Sequence, residues 1–146
     1  MDLSADEARE LFANARAAHM ATVGADGQPH VVVHTFAVSG DWIFHAVDHK
    51  PKRSTNLKRI RNIREHPAVS VLVDQYNDSD WERLWWVRAD GDAYVLELDE
   101  ERADPVGLLT AKYPQYREHP PEGPVIAVQV KRWTGWAYSG PPGRPT

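Results

Sequence analysis

A chain of 146 residues with 17 Lys and Arg against 21 Asp and Glu is mildly acidic, a balance that argues against a general nucleic-acid binder. Its hydrophobic share of 42% can fill one core, which excludes disorder and predicts a single domain over residues 1–146. The absence of cysteine excludes disulfides, thiolate metal sites and cysteine nucleophiles, and no apolar run approaches the roughly 18 residues of a membrane helix.

The opening residues, Met1 to Glu7, are acidic and lack the basic start and apolar centre of a signal peptide, so a cytoplasmic protein is expected. Ser4-Ala5-Asp6-Glu7 fits a capping box, and Ala8, Leu11, Phe12 and Ala15 recur at helical spacing, so residues 1–18 form an N-terminal helical segment. His19 to Val23 reads as a strand, and Gly24-Ala25-Asp26-Gly27 has hairpin-turn chemistry. His30 to Val38, rich in β-branched and aromatic residues, is the predicted second strand, and Trp42 to Val47 the third.

A loop from Asp48 to Thr55 then leads into a helix capped by Thr55 or Asn56, with Leu57, Ile60 and Ile63 inward. His66-Pro67 ends that helix, because proline disfavours helical geometry in the residue before it. Val69 to Asp74 is a fourth strand and Gln75 to Glu82 a polar loop around Trp81, with Asp74, Asp78 and Asp80 read as solvated turn residues. Leu84 to Ala89 and Ala93 to Glu97 read as strands around a bulge or turn at Asp90-Gly91-Asp92. Asp104-Pro105 resembles a helix start, two strands follow at Val125–Val130 and Trp133–Tyr138, and residues 141–146 form a loose tail. This order predicts a mainly β, α+β domain: a small closed or nearly closed barrel with short helices at its ends.

Charge is concentrated in one place. Lys50, Lys52, Arg53, Lys58, Arg59, Arg61 and Arg64 fall in a window free of Asp and Glu. Self-repulsion disfavours such a cluster unless it is well solvated or meets an anion. The pairs His30/His34 and His45/His49 have a spacing that chelates on a helix, but along a strand it separates them by roughly 13 Å, so no metal site is predicted. No glycine pattern matches a P-loop, a Rossmann fingerprint or a nucleophile elbow. Trp85 and Trp86 project to opposite faces of their strand, and Trp133 and Trp136 suit either the core or a subunit interface.

The element order, Ala21-Thr22-Val23 with Asp26-Gly27 and Pro29-His30-Val31, and Arg61-Asn62-Ile63 leading through Pro67 into Val69 to Val73 together resemble the split β-barrel family of pyridoxamine-phosphate-oxidase-like proteins. Ala46-Val47-Asp48 with Lys50-Pro51-Lys52, and Leu84 to Gly91, are most similar to its actinobacterial branch of coenzyme F420-dependent enzymes.

The resemblance implies a split β-barrel with short flanking helices and a homodimer with cofactor at the interface. It implies phosphate binding by Lys50, Lys52, Arg53, Ser54, Thr55 and Lys58, with Asn62 in the helix-end motif, and a cofactor ring bordered by His34, Thr35 and Phe36. The implied activity is hydride transfer between F420 and a small organic substrate, with no dedicated catalytic side chain, since the cofactor performs the chemistry. Surplus cations such as Arg59 and Arg61 suit the glutamyl tail of F420, for which FMN has no counterpart. The alternatives are an FMN-binding oxidase or reductase of the same fold, and a non-catalytic cofactor- or haem-binding protein. Vitamin B6 chemistry is disfavoured, because Trp133 to Gly140 lacks the Arg-rich close of true pyridoxamine-phosphate oxidases. Neither nucleic acid nor membrane is an expected partner.

Overall fold

The computed structural model describes residues 1–47 and 57–140. Helix α1 spans Ala5–Asn14, and Ser4 caps it as the sequence predicts. The Ser4 Oγ accepts from the Glu7 amide while the Glu7 carboxylate accepts from the Ser4 amide. Its buried face, Ala8 and Phe12, packs into the barrel end, where Phe12 meets Phe36 at 4.9 Å and Trp133 at 5.3 Å between ring centroids. Trp133 is therefore a partly buried core residue.

The strands are β1 (Ala18–Val23), β2 (Pro29–His34), β3 (Ala37–Ser39), β4 (Trp42–Ala46), β5 (Ala68–Gln75), β6 (Trp85–Leu96) and β7 (Val125–Ala137). They form one antiparallel sheet in the order β2-β1-β5-β6-β7-β4-β3. This is the predicted mainly β architecture of a split barrel with short helices. Met20, Val71, Val87, Ile43, Ile126 and Val128 line its fully buried interior.

Three expectations about elements are corrected. The predicted strand His30 to Val38 is two strands, because the chain leaves β1 after His34 and joins β4 at Ala37, on the opposite edge of the sheet. Thr35 and Phe36 make that crossing, and the Phe36 amide finds its acceptor in the Tyr113 hydroxyl, 3.2 Å away, instead of a ladder. Conversely, the two predicted C-terminal strands are the single strand β7, and the segments around Asp90 belong to the single strand β6. A bulge absorbs the irregularity: Asp90 pairs with Arg132 but Gly91 with Val130, leaving Lys131 extra on β7. At Gly91 a Cβ would lie 2.1 Å from the Gln129 carbonyl oxygen, so only glycine lets the strands approach there.

The third correction concerns the later helices. Helix α3 spans Asp99–Lys112, so Pro105 is internal and not at the start. Asp99, Glu100 and Glu101 favour the earlier start through the helix dipole, and the Leu98 amide donates to the Glu101 carboxylate. A short helix α4, Pro114–Glu118, follows without having been predicted. Helix α2 spans Lys58–Glu65, with Leu57 at its N-cap and no side-chain cap bond, and ends at extended His66. That start is one or two residues later than an Asn56 or Thr55 cap implies. Ile60 and Ile63 are buried and Leu57 packs against the same core. The predicted loop at 48–55 and the tail at 141–146 lie outside the described residues.

Candidate cofactor site

Of the predicted phosphate ligands, Lys50, Lys52, Arg53, Ser54 and Thr55 lie outside the described residues. Val47 and Leu57 flank that stretch. On one side Val47 is tied to the sheet by its amide, which donates to the Pro124 carbonyl at 2.9 Å. On the other, α2 presents Lys58, Arg61 and Arg64 to solvent, and Arg64 pairs with Glu97. Arg59 is half-buried and turns toward the barrel, where its charge acts on His34 and His45.

Asn62 faces inward. Its Nδ2 donates to the Thr22 Oγ1 at 3.0 Å, and both residues are buried, so the motif asparagine ties α2 to β1. The residues expected beside the cofactor ring separate into distinct environments. Phe36 is fully buried in the protomer's core, with the Lys112 ammonium 3.8 Å from its ring centroid. Thr35 is half-buried and its hydroxyl bonds the Tyr116 hydroxyl at 2.7 Å.

His34, at 6% exposure, donates from Nδ1 to the Thr35 carbonyl at 2.8 Å; a carbonyl only accepts, so the proton sits on Nδ1. Its ring lies 4.3 Å from that of His45, which is 4% exposed. Burial pushes the His34 pKa down to about 4, against the raising effect of the Thr35 carbonyl, and Arg59 and His19 lower it further. Burial, then His34 and Arg59, hold His45 well below the ordinary imidazole value. Sequence spacing offered no sign of this pair. His34 meets His45 across the barrel, whereas the noted spacings paired His34 with His30 and His45 with His49. Among the described residues no group of three His, Asp or Glu side chains is placed to hold a metal.

The outer face of β1, β2, β5 and β6 carries two adjoining grooves that share Ala21 and Ser70. One, of about 480 Å³, is lined by Thr22, Val23, Asp90 and Lys131; the other, of about 730 Å³, by His19, Leu72, Tyr76, Trp86 and Arg88. Asp90 organises the boundary, accepting from the Ser70 hydroxyl at 2.6 Å and from the Arg88 Nε at 3.1 Å. Val31 and Val33 stand beside them at 62% and 65% exposure. The sequence carried a signal for this face: a strand with valine on both sides expects cover on both sides.

An antiparallel sheet open at β2 and β3, with a crossing at Thr35 and Phe36 and helices at its ends, defines the class of split β-barrel proteins. The family model for pyridoxamine 5'-phosphate oxidase matches residues 4–137, and the chain belongs to that family. No curated protein matches it. Among solved structures, the conserved hypothetical protein Rv2991 from Mycobacterium tuberculosis superposes with a TM-score of 0.76 at 21% identity, covering 93% of this chain and 86% of that one. A FAD-binding protein from Mesorhizobium loti gives 0.70 at 21% identity, with 92% and 95% covered. A haem-binding protein from Mycobacterium smegmatis gives 0.73 at 22% identity, with 96% and 55% covered. At such identities the likeness is one of fold. No described helix is long and apolar enough to cross a membrane.

Proposed function

We propose that this protein is an F420-dependent oxidoreductase that passes a hydride between the deazaflavin and a small organic substrate. The observation that carries the reading is the acid-free basic stretch from Lys50 to Arg64, which follows β4 in sequence and runs into α2 in a chain of this family. Lys50, Lys52, Arg53, Ser54, Thr55 and Lys58 suit the cofactor phosphate by charge and hydrogen-bonding capacity, and the solvent side of α2 adds Arg61 for a carboxylate-rich tail. The deazaflavin, when bound, supplies the redox chemistry. The chain's own work is to bind the anion, orient the ring and limit water.

The same reading makes the protein a cytoplasmic homodimer with cofactor at the interface. Exposed Val31, Val33 and Leu72 beside the two grooves support a second copy packing on the outer sheet face. A conventional flavin is the second reading, favoured by the FAD-binding Mesorhizobium loti protein of the same fold. Haem carriage is a third, raised by the Mycobacterium smegmatis haem-binding protein.

Titration of the purified chain with F420, FMN, FAD and haem, read by fluorescence and absorbance, separates these readings. Saturable F420 binding with weaker FMN and FAD binding is expected. Tight flavin or haem binding without F420 binding rejects the first reading, and binding of none returns the basic stretch to a solvated surface.

A further inference from the structure

Among the described residues the sheet does not close by hydrogen bonds. Its order runs from β2 at one edge to β3 at the other, and β4 keeps its ladder to β3 only as far as Phe44, opposite Ala37. β2 ends at His34, opposite Ala18 of β1. His45 therefore pairs with Ile126 of β7 on one side, and on the other its ring lies against that of His34, 4.3 Å away and inclined by 43°. Two imidazoles meet at the split, where the described residues form no backbone ladder.

Their hydrogen bonding is mostly unmet. Of four ring nitrogens only the His34 Nδ1 has a partner; the His34 Nε2 and both His45 nitrogens are buried without one among the described residues. Neutral rings tolerate this at modest cost. An imidazolium needs two acceptors and a counter-charge, and buried without them it is expensive.

The Thr35 carbonyl favours a proton on these rings, and burial outweighs it. Arg59 of α2 opposes a proton on either ring, and His19 of β1 opposes one on His34. Lys112 at the end of α3 and Tyr113 just after it lie against Phe36, with Lys112 over its ring, and Tyr116 of α4 reaches Thr35. β7 offers His45 only the aliphatic Ile126 as cross-strand partner.

We propose that His34 and His45 form an acid-operated switch across the barrel's split. With both rings neutral the seam between β2 and β4 is closed, and a proton on either opens it. The seam lies near the start of the 48–56 segment in sequence, with His45 three residues before residue 48. Acid therefore loosens β4, the strand that precedes that segment. The switch uses only contacts of the ligand-free chain, so it stands or falls independently of which cofactor is bound.

The unfolded chain takes up protons at the ordinary imidazole value of 6.5, whereas the folded chain resists until far lower. Stability is thus complete above that value and is lost as pH falls toward about 4. The test is urea unfolding of the ligand-free full chain, followed by tryptophan fluorescence, from about pH 7.5 down to about pH 4.5. The wild-type folding constant is expected to fall about a hundredfold more for each histidine, and several thousandfold more for the two together, across this range than that of the H34Q/H45Q variant. Parallel curves overturn the proposal. Should the variant not fold, nitrogen-15 imidazole spectra of the wild type decide. Two histidines that stay neutral to below about pH 5 support the switch, and seven histidines titrating normally in an intact fold refute it.

Discussion

The Asn62 side-chain amide donates to the Thr22 hydroxyl at 3.0 Å with both groups buried, so the asparagine that resembles a cofactor motif is committed inside the protomer. Removing either partner leaves the other polar and unsatisfied. Asn62→Ala is expected to destabilise the ligand-free protein by about 1–3 kcal/mol, and a double-mutant cycle with Thr22→Val to show about 1 kcal/mol of coupling. Unchanged stability with lost cofactor affinity would instead make Asn62 a ligand contact.

β6 and β7 approach closely at their bulge, where Gly91 leaves no room for a Cβ. Gly91→Ala is expected to cost about 3 kcal/mol or to shift the β6–β7 register, both visible in urea unfolding and amide spectra. Gly107 in α3 makes the contrast, since a Cβ there meets nothing within 4 Å. Gly107→Ala should stabilise by about 0.5–1 kcal/mol.

Lys112 fastens the end of α1 to the end of α3. Its ammonium donates to the Ala13 carbonyl at 3.1 Å and the Ala15 carbonyl at 2.7 Å while sitting over Phe36. Partial burial and Arg16 lower its pKa to about 8. Lys112→Met keeps the aliphatic stem and loses the donors. A loss of about 2 kcal/mol, read as a drop of roughly 4–8 °C in Tm, is expected.

If a second copy covers the outer sheet face, a charge there breaks the association without touching the core. Val33→Asp is expected to shift light scattering from twice the 16.5 kDa chain mass to the chain mass itself, with the circular dichroism unchanged. A variant that stays dimeric places the interface elsewhere.

Lys52→Ala tests the basic segment directly. Loss of one charge-assisted contact to phosphate is worth about 1.5–3 kcal/mol, or roughly 10- to 150-fold in cofactor affinity by titration. An unaltered affinity moves the phosphate site away from Lys52.

Much of this architecture was legible before any coordinates. Ser4 and Glu7 announce a helix start because a capping box is a local contact over three residues. His66-Pro67 announces a helix end for an equally local steric reason. Asp90-Gly91-Asp92 marked an irregularity correctly, but not that β6 continues through it, because a partner strand can absorb one extra residue and Lys131 does so. The break at Thr35-Phe36 was hidden for the opposite reason. Residues 30–38 have unbroken strand propensity, and only the closure of the sheet makes the chain change edges there.

The sequence by itself therefore determined the class of fold, the family resemblance and the acid-free basic segment, since these rest on local patterns of spacing, charge and propensity. The tertiary structure alone decided that Asn62 meets Thr22, that Phe36 belongs to the core, and that His34 and His45 stack across the split. Those contacts join elements through the sheet order and its register, and no local spacing along the chain encodes which strand edges face each other.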